Sequence, residues 1–322
     1  MPFSLFTKGI DEIVESSVAD TVGFHVLGEP LLYPQIIEAV AYANQNGLST
    51  TLTTNGSLLT RDKVSQLIQA GLTRLNISLQ RFGAAEHACR RAPLPFDRYY
   101  QIILDAVEQI NSSKDQICLS VFLMNNATRR FFNVEMPMQM TWNQSALRKG
   151  LTSLIHDLTI ATGNPVSLAE VKAHLSSRLL RPGTQISITP RIRVTIKPFI
   201  DWGNAFTTSK IYPARHGFCG LAFSTLSILR DGEVIICCGD HEGKTSLGNL
   251  ASQSLESILR SSRSVSIATG FSRFKIIHPR CQQCLGSSSP IKTAMKSVAS
   301  TCLFKVSNIG SGKPIRAVEL FY

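Results

Sequence analysis

The sequence predicts an α/β fold built on a parallel sheet, followed by a small cysteine-rich C-terminal domain. Three observations carry that expectation. Thr21–Pro30 (TVGFHVLGEP), Ser49–Gly56 (STTLTTNG) and Leu72–Gln80 (LTRLNISLQ) are short apolar or β-branched runs that end in small polar residues. Each is followed by helical spacing, as strands of a parallel sheet require. The runs begin near residues 21, 48 and 72, a repeat length suited to successive βα units. From Tyr212 the texture changes to shorter strands with more Gly and Cys, which places a boundary near residue 212.

Taken in order, Phe3–Glu15 has Phe3, Phe6, Ile10, Ile13 and Val14 at helical spacing with Asp11, Glu12 and Glu15 opposite. The first strand is expected over Thr21–Leu27. Tyr33-Pro34 opens a helix with Ile36, Ile37, Val40 and Ala41 inward, stopped by Gly47. After the strand Ser49–Thr54, Thr60 caps a helix that Gly71 ends. A strand over Leu72–Leu79, a helix from Phe96 to Ile110 and a strand over Gln116–Leu123 follow. Asn143–Ser177 reads as one or two helices, the second opened by a capping box at Ser167-Leu168-Ala169-Glu170. Arg191–Ile200 alternates like a strand and runs into Asp201-Trp202-Gly203-Asn204, where Trp202 is first of all a packing residue. The tail from Gly286 reads as a loose extension in which Ala317–Tyr322 is apolar enough to dock. The expected division is 1–211, 212–290 and 291–322.

Composition narrows the function. A hydrophobic share of 43% and a charged share of 17% describe a folded domain. There is no apolar run long enough to span a bilayer. The N-terminal MPFSLFTKGIDEIVE has no apolar core of the kind a signal peptide carries, so a cytoplasmic location is the default expectation. Formal charge is +11, but the basic residues (Arg90-Arg91, Arg129-Arg130, Arg191, Arg193, Lys275) are dispersed, which argues against nucleic acid as the partner.

Chemistry in parallel α/β sheets gathers at the carboxyl ends of the strands. Gly28-Glu29-Pro30, Thr54-Asn55-Gly56 and Ser78-Leu79-Gln80 should therefore share one rim. Taken singly, Glu before Pro and Asn-Gly are also ordinary turn chemistry. His25, in mid-strand, reads as a packed histidine.

Six of the eight cysteines fall after residue 218. Cys219 precedes an expected strand over Ala222–Leu229, Asp231-Gly232 turns the chain, and the return strand ends at Cys237-Cys238. Cys281 and Cys284 form a CxxC on a turn after Pro279. Four thiolates suit either a tetrahedral zinc or an iron–sulfur cube, with Cys238 an alternative to Cys237 and with His216, His241 and His278 nearby. Cys89, Cys118 and Cys302 read as ordinary reduced cysteines.

The order GEPLL, TTNGSLLT, LNISLQ, then Cys219…Gly232-x4-Cys237…Leu247-Gly248-Asn249…Cys281-x2-Cys284, resembles radical S-adenosylmethionine enzymes that carry a SPASM or twitch-type auxiliary-cluster domain. The resemblance spans nearly the whole chain. It implies a partial (βα)6 TIM-like parallel barrel and an oxidoreductase that generates a 5′-deoxyadenosyl radical. Gly28, Glu29 and Pro30 match the strand end that binds the cofactor's methionine amino group, with Leu27 in place of its first glycine. Asn55 and Ser78 match positions that face S-adenosylmethionine, and Arg90, within His87–Arg91, matches the arginine that meets its carboxylate. Cys219, Cys237, Cys281 and Cys284 would hold one auxiliary [4Fe–4S] cluster. Further implications are a peptide or protein substrate, as in sulfatase activation or ribosomal-peptide maturation, and an electron donor such as flavodoxin or ferredoxin.

Two departures stand out. Gln80 occupies a place where many relatives have Asp. The CxxxCxxC loop that binds the radical-generating cluster is absent from the 322 residues, as though the reading frame began late and the first barrel strand were missing with it. Such a chain is expected to lack radical chemistry by itself and to expose sheet edges. The reading from another class is a non-catalytic scaffold whose four cysteines hold structural zinc.

Overall fold

The structure, a computed structural model, describes residues 1–26, 28–83, 94–125, 143–198, 204, 210–237, 239–307 and 317–320. Leu27, His87, Cys89, Arg90, Arg91, Arg129, Arg130, Trp202 and Cys238 lie outside the described residues.

The fold is mixed α/β around one ten-stranded sheet. Helix α1 (Phe3–Ser16) packs Phe6, Ile10 and Ile13 inward, and Phe6 meets Phe24 with ring centroids 6.1 Å apart. Side chains of this size contribute roughly 1.5–3 kcal/mol each on full burial. Strand β1 (Thr21–Phe24) leads through a 3-10 turn (Pro30–Leu32) to α2 (Ile36–Gln45), then β2 (Ser49–Thr54), α3 (Arg61–Gln69) and β3 (Arg74–Gln80). Next come α4 (Phe96–Ser112), β4 (Cys118–Asn125), α5 (Gln144–Ala161), α6 (Leu168–Ser176), β5 (Gln185–Ser187) and β6 (Ile192–Pro198). The caps expected at Thr60 and Ser167 are both formed: Thr60 Oγ1 accepts from Lys63 N, and Ser167 and Glu170 make a reciprocal capping box.

Strands β1, β2, β3, β4 and β6 are consecutive parallel neighbours, and β5 folds back antiparallel on β6. Their register places Leu52, Leu75, Leu119 and Ile192 in one row and Ile77, Val121 and Val194 in another. All belong to the large core shared with the helices. Because successive side chains point to opposite faces, the other face carries Thr51, Thr53, Arg74, Asn76, Ser78 and Ser120. One face of the sheet is therefore core and the other polar.

The C-terminal part comprises a single-turn helix α7 (Leu221–Ser224), the antiparallel meander β7 (Thr225–Ile228), β8 (Glu233–Ile235) and β9 (Ser246–Asn249), and helices α8 (Leu255–Arg260), α9 (Ser262–Ser272), α10 (Pro279–Leu285) and α11 (Pro290–Ser307). It has its own small core of Ala214, Ile236, Ile267, Phe271 and Ile276. The last strand, β10 (Ala317–Leu320), runs parallel to both β1 and β7 and lies between them.

Several expectations need correction. β1 ends at Phe24 rather than Leu27, since Gly28 turns the backbone into the left-handed region (φ 108°). The strand expected from Ala222 begins at Thr225, because Leu221–Ser224 winds into a helical turn first. The CxxC sits on helix α10 rather than on a bare turn, with Pro279 at its first position. The tail is not loose: it forms α11 and then β10, and β10 covers the edge of β1 that was expected to be exposed. Strand β5, too short to show periodicity, was not expected.

Candidate functional site

Since β1, β2 and β3 are parallel neighbours, their carboxyl ends lie together. The links there are specific. Glu29 Oε1 accepts from Thr54 Oγ1 at 2.6 Å and from Leu31 N at 3.1 Å, while Oε2 accepts from Asn55 N at 2.7 Å. Thr54 Oγ1 in turn accepts from Gly56 N at 2.9 Å, and Asn55 Oδ1 accepts from Ser57 N at 2.8 Å. Tyr99 donates its hydroxyl to Ser78 O at 2.7 Å, and a Cβ on Gly56 (φ 80°) would come 2.9 Å from Tyr99 Cε2. The structure thus brings together Gly28, Glu29, Pro30, Asn55 and Ser78. In the arrangement seen, Glu29 is a staple between the ends of β1 and β2, its carboxylate spent on backbone and hydroxyl donors.

His25, just past β1, is poorly solvated. Its Nδ1 has no hydrogen-bond partner among the described residues, and burial lowers its pKa. At the end of β3 the register shifts between Ser78 and Gln80, and Gln80 is left-handed (φ 63°). The next residue, Arg81, is 3% exposed. Sequence reasoning passed over it, because arginine carries no burial signal of its own.

The second cluster lies in the C-terminal part. Cys219, before α7, Cys237, after β8, and Cys281 and Cys284, both on α10, line one cavity of about 40 Å³. A water-sized body needs about 10–15 Å³ on the same measure, so the space holds a group of several atoms. Positions 281 and 284 are three apart on a helix and so share a face. Burial pushes the Cys237 thiol up to about 12, with Cys219, Cys284 and Asp240 adding to the rise and the Gly239 N–H opposing it. Burial likewise raises Cys281, reinforced by Cys237, Cys219, Cys284 and Asp240. Thiols in such a place become thiolates readily only when a cation joins them.

Among the described residues, no three His, Cys, Asp or Glu side chains converge as a single metal ion needs. One zinc with Zn–S of about 2.3 Å would draw sulfurs to about 3.8 Å from one another. Four thiols lining one cavity are a donor set that suits a multi-iron cluster.

The surroundings hold the α10 thiols in place. Asn204, left-handed (φ 64°) and 3% exposed, donates Nδ2 to Gln283 O at 2.7 Å. Lys296 Nζ, from α11, donates to Cys284 O at 3.1 Å and Gly286 O at 3.0 Å. His278 caps α10, its Nδ1 accepting from Arg280 N at 3.2 Å, and neither it nor His216 nor His241 lines the cavity. Asp240 does line it, 2% exposed, with Oδ2 taken by Thr245 N and Oδ1 unpartnered among the described residues. Asp240, Asn204 and Lys296 escaped sequence reasoning, since each acts through contacts distant in the chain.

Two family models match these two regions. The radical SAM superfamily model matches residues 10–126, from α1 through the end of β4. The model for SPASM, an iron–sulfur cluster-binding domain, matches residues 219–285 and so contains all four cavity cysteines. The chain therefore carries a radical SAM region over residues 10–126 and a SPASM domain over residues 219–285. These domains imply S-adenosylmethionine and iron–sulfur clusters as cofactors.

The chain is 37% identical over 90 residues to the AdoMet-dependent heme synthase of Methanosarcina barkeri, covering 28% of this chain and 25% of that protein. It is 43% identical over 53 residues to the PqqA peptide cyclase of Bradyrhizobium diazoefficiens, covering 16% and 14%. The aligned stretches thus span a quarter or less of these relatives' own length. Among solved structures, native anSMEcpe with bound AdoMet aligns over 96% of this chain and 90% of that one, with 12% identity and a TM-score of 0.49. No helix among the described residues is long and apolar enough to cross a membrane.

Proposed function

We propose that this chain is the S-adenosylmethionine-binding and auxiliary-cluster portion of a radical SAM enzyme acting on a peptide or protein. In this reading Gly28, Glu29, Pro30, Asn55 and Ser78 form the cofactor-facing rim, with Arg90 meeting the cofactor carboxylate. Cys219, Cys237, Cys281 and Cys284 hold one auxiliary [4Fe–4S] cluster. The working division is 1–211 for the barrel portion, 212–290 for the cluster portion and 291–322 for the tail.

The observation that carries the reading is the cavity itself. Three separate segments deliver four thiols to one buried space inside the stretch matched by the SPASM model. The peptide substrate is supported by the similarity to the PqqA peptide cyclase. When bound, S-adenosylmethionine would supply a 5′-deoxyadenosyl radical once reduced by a site-differentiated cluster. The chain's own part is to hold the cofactor at the rim, with Glu29 fixing the two strand ends and the cysteine cavity presenting four thiols to the cluster. Because no CxxxCxxC motif occurs in the 322 residues, this chain alone is expected to bind rather than to cleave S-adenosylmethionine.

The test is anaerobic reconstitution with iron and sulfide, followed by iron and zinc counts per monomer. About four irons, falling to none in Cys281→Ala, support the auxiliary cluster. One zinc that iron does not displace overturns it in favour of a structural scaffold.

A further inference from the structure

Among the described residues of the sheet region Arg81 is the best-buried cation, and its position is built rather than incidental. The register shift between Ser78 and Gln80 and the left-handed Gln80 turn the chain as β3 ends, and Arg81 N donates to Leu79 O at 2.7 Å. Bulges next to functional sites commonly re-aim a side chain in this way. The outcome is a guanidinium on a residue 3% exposed, whose Nε and Nη2 have no hydrogen-bond partner among the described residues. Buried donors without acceptors are costly, and a water, an ion or a ligand is what commonly completes them.

The identity of the two orphaned donors is informative. Nε–H and the Nη–H on the same side point in parallel, and together they form the side-on edge of the fork. That edge matches the two oxygens of a carboxylate. The polar face of the sheet carries Arg74 on β3 and Arg193 and Lys197 on β6, and none of its described positions on β2, β3, β4 or β6 is acidic. Glu29 stands at the same rim, with its oxygens taken by Leu31 N, Thr54 Oγ1 and Asn55 N. A face of that composition favours an anion.

We propose that Arg81 is a substrate-specificity residue whose Nε–Nη2 edge receives a carboxylate of an acidic substrate at the carboxyl end of β3. The proposal rests on the reading of this rim as the ligand site. The same carboxylate chemistry is present in the methionyl group of S-adenosylmethionine, so the test separates the two sources.

The full-length reconstituted chain and its Arg81→Met variant are titrated calorimetrically with the acidic dipeptide acetyl-Glu-Glu-amide and its neutral counterpart acetyl-Gln-Gln-amide. S-adenosylmethionine and decarboxylated S-adenosylmethionine serve as the second pair. Loss of a charge-assisted bidentate contact should weaken the acidic dipeptide about ten-fold or more in Arg81→Met and leave the neutral one unchanged. The ligand-free variant should also melt no lower than the native chain, because methionine fills similar space without unpaired donors. Equal binding of the acidic dipeptide by both proteins overturns the proposal and leaves the rim reading intact. A loss confined to S-adenosylmethionine, absent with its decarboxylated form, overturns the substrate assignment and gives Arg81 to the cofactor. A native chain that binds none of the four compounds overturns the proposal together with the rim reading. A variant that melts well below the native chain shows Arg81 to be structural and overturns the proposal too.

Discussion

Glu29 accepts three hydrogen bonds from two neighbouring strand ends, and its two oxygens divide them between Thr54 and Leu31 on one side and Asn55 on the other. Replacement by glutamine keeps one acceptor oxygen and, in either orientation, turns its NH2 group toward a backbone N–H, that of Leu31 or Asn55, which cannot accept from it. Glu29→Gln is expected to lower stability by about 1–3 kcal/mol, read as a shift of the urea midpoint at unchanged slope. A change below about 0.5 kcal/mol would show that the staple is not a structural one. The residue scale also shows where sequence reading works well. Thr60 and Ser167 cap their helices as local patterns require, because a cap needs only residues within three positions of it. Asp240, Asn204 and Lys296 were not legible, because their partners at Thr245, Gln283 and Cys284 come together only in the folded chain.

Among the elements, β10 has the largest consequence. It pairs Ala317 with Thr21 on one side and with Thr225 on the other, and so joins the parallel series to the cysteine-bearing meander. Each of those strands would otherwise present unpaired N–H and C=O groups. A chain ending at Ser307 is therefore expected to form soluble oligomers or aggregates at concentrations where the full chain is monodisperse, as light scattering would reveal. A monodisperse truncated chain of unchanged melting temperature would show that β10 contributes nothing to the sheet. The stretch Ala317–Tyr322 was visible in the sequence as apolar enough to dock, but the slot its strand Ala317–Leu320 takes was not. Four residues of strand carry too little pattern to name a partner 300 positions away.

For the whole molecule, pH bears on stability through His25. Burial lowers its pKa from the ordinary value near 6.5, so below that value the unfolded chain takes up a proton that the folded chain refuses. The contribution is complete above about pH 6.5 and is lost as pH falls toward the lower folded value, so stability should decline on acidification across that window. Urea midpoints for the native chain and His25→Gln, compared between pH 7.5 and 5.5, should differ in slope, with the variant flatter. Parallel curves would place the acid sensitivity elsewhere. By itself the sequence determined the α/β class, the parallel series, the helix caps and the four cysteines, because periodicity, capping and short-range spacing are local properties. Tertiary structure alone decided that three separate segments bring those cysteines to one cavity, that the last strand seals the first, and that Arg81 is buried with its Nε and Nη2 unpartnered among the described residues. Burial and pairing belong to surfaces brought together from distant parts of the chain, and no local pattern encodes them.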